Sequence, residues 1–231
     1  MKKLIIKYSI EFFVIVFSIS ASFFVENIRE EKAKINREKL VKLNLLNEML
    51  EAESYLDGRL DVFNIDRDFL TALIDKKVSL DSLYKIGERG VDYYNSICFF
   101  RTFDPPNIIY SSLVSDGEIN LIKEKELKNL LFRMNVLSPQ YMKLQIDEDK
   151  KAANDIELHL AQNHPELYNK NLQVNNNILL LKELRSVVFD DKILLALINR
   201  KHSRMGGKNR VFSNYLKLRD SLINKLNQKN D

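Results

Sequence analysis

Apolar residues crowd the first 25 positions, then thin into a helical rhythm that runs with few interruptions to the C-terminus. Tyr8 to Val25 holds one charged residue, Glu11, and is preceded by Lys2, Lys3 and Lys7. The 22 residues from Leu4 to Val25 predict a helix about 33 Å long, enough for a bilayer core of about 30 Å. From Glu26 to Leu56 charges are dense, with Ile28, Ile35, Leu43, Leu46 and Leu50 at helical spacing. The span and this segment read as one helix leaving the membrane, a solvated stalk whose second half, Leu40 to Leu50, docks on a core. The apolar pattern drifts after Ile35, short of the three or four clean heptads, roughly, that a coiled coil needs.

After an expected irregularity at Gly58, the pattern resumes at Leu60, Phe63, Phe69, Leu70, Leu73 and Ile74. Ser79 caps a short helix to Ile86. Gly87 and Gly90 open an irregular region that runs through Tyr93 to Phe103 and Asp104-Pro105-Pro106. A helix is expected to start near Asn107 and to end at Asp116-Gly117. A long helical stretch from Glu118 to Asn163 is expected to split at Pro139 and to stop at Pro165. Ile178–Val188, Asp190–Arg204 and Val211–Leu226 carry three further amphipathic patterns, with Gly206-Gly207 expected to separate the last two and Asn175-Asn176-Asn177 a polar loop. The prediction is an all-α protein: residues 1–25 an anchor, 26–58 a stalk or docking helix, 59–231 an irregular helical bundle.

Composition supports this. Only 6 Gly and 4 Pro occur in 231 residues, too few for the turns of an all-β fold. One cysteine, Cys98, excludes an internal disulfide framework and a multi-Cys zinc site. The 36 basic and 32 acidic residues give a net charge of +4, spread along the chain, and point to no nucleic-acid partner.

The first segment can be read as a cleavable signal peptide, with Ser18-Ile19-Ser20 as a small-x-small site, as a buried core helix, or as an uncleaved anchor. Its length and its unbroken passage into the stalk favour the anchor. The short basic N-terminus favours N-inside, with the large domain outside, although the basic residues after the span do not. Glu11 reads as a shallow residue paired with Lys7 one turn earlier. Glu11, Ser18 and Ser22 also share one helical stripe, and Ser18-x-x-x-Ser22 is a small-xxx-small pattern that lets helices approach closely.

Two segments resemble a known family. Tyr8 to Glu30 is similar to the start of the Bacteroidota family catalogued as domain of unknown function 6090, whose single span begins with a Gly-Glu pair and leaves through an Asn/Trp-rich stretch. Glu11, Asn27 and Glu30 match; Ile10 stands in place of the Gly and Ile28 in place of the Trp. The second segment runs from Tyr110-Ser111-Ser112-Leu113 through Asp116-Gly117-Glu118-Ile119-Asn120-Leu121-Ile122 to Glu126-Leu127. It resembles the family's helix that ends at Gly and leads into an Ile/Leu-rich helix. The resemblance implies a membrane-anchored bacterial protein with an α-helical domain. It implies no reaction.

Candidate chemistry is sparse. His159 and His164 are five apart, not the four that puts two ligands on one helix face, and are expected to be solvated, like His202. No metal or cofactor is expected. Cys98, among aromatic residues, reads as a buried structural thiol. Asp147-Glu148-Asp149 reads as a solvated helix face and Asp190-Asp191 as a cap for the next helix. Arg200 to Arg210 holds a Gly206-Gly207-Lys208 that lacks the rest of a phosphate loop; it reads as a solvated basic connection between helices, with contact to lipid headgroups or an acidic partner as the alternative. Tyr93, Tyr94, Phe99, Phe100 and Phe103 form the best pocket candidate, against a plainer reading in which they cover the core.

With no paired nucleophile and base, an enzyme is not expected. The leading expectation is a membrane-anchored, non-enzymatic assembly or accessory subunit whose partners are the bilayer and another span, its own copy's or a different protein's. The alternative is an extracytoplasmic ligand-sensing domain that signals through a partner, with the aromatic segment as pocket and the stalk as transmitter.

Overall fold

The computed structural model describes residues 2–89, 92–173 and 177–227, with side chains described from Ile10 onward except at 87 and 171–173. Gly90, Asn175, Asn176 and the Lys7 side chain expected to pair with Glu11 lie outside the described residues. Among the described residues there are nine α-helices and no strand: α1 (Lys2–Ile74), α2 (Leu80–Gly87), α3 (Tyr93–Cys98), α4 (Ile108–Ser115), α5 (Lys125–Phe132), α6 (Ser138–Asn163), α7 (Pro165–Gln173), α8 (Ile178–Asp190) and α9 (Lys192–Asn227). A 3₁₀ turn, Glu118–Leu121, precedes α5, and a π turn, Arg133–Leu137, joins α5 to α6.

At 73 residues, α1 is about 110 Å long. Every described side chain from Ile10 to Arg37 is exposed, and burial begins at Val41. The apolar segment is thus long and apolar enough to cross a membrane and has none of its window buried, which removes the core-helix reading. The expected irregularity at Gly58 is absent. Leu56 and Phe63 are buried on either side of it. A helical glycine costs about 1 kcal/mol, less than the roughly 1.5–3 kcal/mol that burying each such side chain contributes.

Gly206-Gly207 does not break α9 either, for the same reason: Met205, Phe212 and Tyr215 are buried on both sides. A Cβ on Gly207 would collide with the Gln145 side chain of α6, so the two helices pass closely there. Near Pro139 the stretch divides as expected, α5 giving way to α6 through the π turn. The π turn widens the bonding just before the proline, with Ser138 N–H donating to Arg133 C=O, and the Asn135 Nδ2 donates to Leu131 C=O at 3.0 Å. The proline then falls in the first turn of α6, where its missing donor is not needed.

Three long helices build the core. Val41 and Leu45 of α1 share one apolar cluster with Met142 and Ile146 of α6 and Leu222 and Leu226 of α9. Phe69 and Leu73 share a second with Ile156 and Leu160 and with Leu194 and Ile198. So α6 runs parallel to α1, and α9 antiparallel to both. The short helices α2, α3, α7 and α8 close the second cluster, and α4 and α5 close the first.

Candidate functional site

On the apolar segment of α1, Ser18 Oγ donates to Val14 C=O at 2.7 Å and Ser22 Oγ to Ser18 C=O at 2.9 Å. Both hydroxyls are therefore satisfied within their own helix. With Glu11 they lie exposed on α1.

Where burial on α1 begins, its side chains supply the contacts that hold the turn around Gly117. Asn107 gives α4 no side-chain cap. The buried Glu48 of α1 takes that role instead, accepting from Ile109 N at 2.7 Å and Tyr110 N at 3.4 Å. A carboxylate there satisfies free amides and complements the helix dipole. Burial pushes the Tyr110 phenol up from its ordinary value. Gly117 follows α4, at the helix end expected there, with φ +73°, a left-handed conformation that glycine adopts readily. Leu121 packs against the first cluster and Ile122 is fully buried in it. Arg37 pairs with Glu118, and Lys42 bridges Glu38 at 2.8 Å and Glu124 at 2.9 Å. Burial opposes the charge on Lys42, but the hydrogen bonds to Glu38 and Glu124 outweigh it and raise its pKa.

The five aromatics do not converge on one space. Tyr93 stacks on Phe69 in the second cluster, ring centroids 5.3 Å apart, and Tyr94 donates to Glu157 Oε1 at 2.5 Å. Phe103 packs edge-on against Phe212 and Tyr215 of the first cluster. Phe99 is half exposed and stacks on Phe100. The segment therefore covers the seam between the clusters. Cys98 is buried as expected, and burial, with Glu157 adding and Lys201 opposing, pushes its thiol well above the ordinary value.

That seam is polar, which the sequence reading missed. Asp149 is fully buried rather than solvated. It accepts from Lys201 Nζ at 3.1 Å and Lys208 Nζ at 2.6 Å. Lys201 Nζ also donates to Phe99 C=O at 2.6 Å, and Lys208 Nζ sits 4.9 Å from the Phe63 ring centroid. So Lys201 and Lys208, read as part of a solvated connection, are buried core residues. Burial is the largest influence on Lys201 and lowers its pKa, which Asp149 only partly restores. Nearby on α1, Asp66 accepts from Ser96 Oγ at 2.8 Å and Arg101 Nε at 2.9 Å, tying the aromatic segment down. A signal was present. Asp149 lies in phase with Met142, Ile146, Ile156 and Leu160, and Lys201 and Lys208 with Leu194, Ile198, Met205, Phe212 and Tyr215.

The histidines differ from expectation as well. His159 Nε2 lies 2.7 Å, and His164 Nε2 2.8 Å, from the same Asp191 Oδ2. Pro165 is the reason. Helix α6 ends at Asn163, and His164 leaves the helical path with φ −136° and ψ 54°, so the five-residue spacing no longer separates the rings. Asp191 also caps α9 as expected, Oδ1 accepting from Ile193 N at 2.8 Å and Leu194 N at 3.0 Å. Burial opposes its charge, but the hydrogen bonds from both histidines and both amides outweigh it and hold the carboxyl well below the usual carboxylate range. His202 is half-buried beside Thr71 Oγ1 at 2.9 Å.

An open groove of about 570 Å³ runs between the π turn and α9, lined by Leu130, Arg133, Leu137, Tyr141, Val211 and Leu218 among others. None of the five aromatics lines it. No protein-family model, no curated protein and no solved structure matches this chain, so the resemblance to the Bacteroidota family rests on the quoted residues alone.

Proposed function

We propose that this protein is a single-pass, membrane-anchored, non-enzymatic helical subunit that assembles with another span in a bacterial inner membrane, its domain on the periplasmic side. The observation that carries the reading is the continuity of α1. One helix holds the exposed apolar residues at its N-terminal end and the buried residues Val41 to Leu73 at the other. A domain built around the same helix that spans the bilayer is held at a fixed distance from it, as suits an assembly part. The polar seam supports the same reading. Its ionised groups are each taken up by internal partners, which suits a fixed core better than a reactive site.

The sensing alternative also gains from the continuity of α1, but its pocket loses support, because Tyr93 and Tyr94 pack with one cluster, Phe100 and Phe103 with the other, and Phe99 is half exposed. Alkaline carbonate extraction with N-terminal sequencing tests the anchor: the protein should stay with the membrane and retain residues 1–25. A soluble product starting near Ala21 would overturn the anchor. Native mass measurement in detergent tests the assembly role. A monomer without any co-purifying chain would overturn it.

A further inference from the structure

We propose that His159, His164 and Asp191 form a binding site for one divalent transition-metal ion of the zinc class, at the end of the bundle farthest from the apolar span. The three come from separate places: the last turn of α6, the α6–α7 junction and the α8–α9 junction. Their ligand atoms, two imidazole nitrogens and one carboxylate oxygen, all lie within 4.8 Å of one another. Both rings present the same nitrogen, Nε2, to the same oxygen, and the ring centroids stand 6.0 Å apart at 56°.

The donor set fits the ion. Zinc takes imidazole nitrogen and carboxylate oxygen at about 2.0–2.2 Å in tetrahedral geometry, so neighbouring ligand atoms stand roughly 3.3 Å apart. From the 2.7 and 2.8 Å separations, each imidazole–carboxylate pair needs to open by roughly half an ångström, and the two imidazole nitrogens already lie within 4.8 Å of one another; side-chain torsion supplies such adjustments. The site is also held from outside. Asp191 Oδ1 is fixed by the α9 amides of Ile193 and Leu194, which leaves Oδ2 aimed at the rings. His159 Nδ1 faces the Asn163 amide at 3.2 Å. The same amide nitrogen donates to His159 C=O at 3.1 Å, which fixes it beside the ring. The side chains of His159, His164 and Asp191 are 13%, 25% and 19% exposed. Partial exposure leaves the fourth position to water, as in zinc sites with three protein ligands. A bound ion replaces two hydrogen bonds with three coordinate bonds and fastens three chain segments together.

The test is titration of the full chain in detergent with Co²⁺ alone, followed by displacement with Zn²⁺. One equivalent of Co²⁺ should bind with the intense visible bands of four-coordinate cobalt, and Zn²⁺ should abolish them. His159→Gln, His164→Gln and Asp191→Asn should each lower affinity by about a hundredfold or more, beyond the loss of an outer partner. Asp191→Asn keeps the α9 cap, because asparagine caps as well as aspartate. His202→Gln should change nothing. Zinc-edge X-ray absorption on the unaltered protein, showing two imidazoles in the first shell, keeps the proposal testable should a variant misfold. Absence of the cobalt bands overturns it. So does binding that survives all three substitutions or is lost with His202→Gln, since the ion is then adventitious or elsewhere.

Discussion

Lys208 of α9 donates to Asp149 of α6 across 2.6 Å, with the two side chains only 2% and 1% exposed. The other carboxylate oxygen takes Lys201, so one anion serves two buried cations between two apolar clusters. Removing it strands both ammonium groups. Asp149→Ala should cost about 3–5 kcal/mol, read as a lower unfolding midpoint by circular dichroism in detergent. Replacing all three together, with Leu for Asp149 and Met for both lysines, should recover most of that loss, because a packed apolar trio avoids the desolvation cost. If the single substitution is neutral, the seam is not closed to solvent as described.

The glycines separate two effects of one substitution. Gly117 has φ +73° with open space around it, so Gly117→Ala meets only backbone strain and should destabilise by roughly 1 kcal/mol or more. Gly206 lies inside α9, also in open space, and Gly206→Ala should stabilise by about 1 kcal/mol through helix propensity. Thermal midpoints moving in opposite directions would bear this out. A shared sign would refute the assignment of one conformation or the other.

Alkali should weaken the fold. Burial, with Tyr84 and Glu88, raises Tyr93 from 10.0 to about 12, and Cys98 rises from 9.0. Each is neutral when protonated, so the folded state holds its proton after the unfolded chain has released it. Their contribution is complete below the unfolded values and is lost as pH climbs through about 9 to 12. Lys201 works the other way, because its folded pKa lies below 10.5 and rising pH relieves its burial. Tyr94 and Tyr215 are also raised, so the losses should dominate. The melting midpoint should fall above pH 9, and Tyr93→Phe should make that fall shallower. An unchanged slope in the variant would place the effect elsewhere.

The amphipathic spacing made the helices legible, and local chemistry made the ends legible where it decides them: Ser79 caps α2, with its side chain accepting from Ser82 N, and Gly117 stops α4. Reading breaks into Gly58 and Gly206-Gly207 failed because a local cost near 1 kcal/mol each yields to burial on both flanks. Reading Asp149, Lys201 and Lys208 as solvated weighed residue type over phase. They occupy core positions of a three-four repeat shared by α6 and α9, and only their mutual proximity makes those positions tolerable. The His159, His164 and Asp191 cluster was not accessible to spacing rules. Two of its members are separated by a helix end, and the third arrives from 27 residues beyond His164.

The span carries the last prediction, and the hydroxyl geometry sharpens it. Ser18 and Ser22 already donate to Val14 and Ser18 carbonyls, so a neighbouring helix gains little from their polarity. In the membrane assembly proposed above, what they offer is small size, which lets two backbones approach where the hydrophobic effect does not drive association. Replacing both with Leu should block that approach while leaving insertion intact, and replacing both with Ala should leave association nearly unchanged. In-membrane crosslinking or native mass spectrometry of the three proteins separates the cases. Association that survives the Leu pair means that the Glu11, Ser18 and Ser22 stripe is not the contact face. Loss with the Ala pair means that the hydroxyls, not the small volume, make the contact.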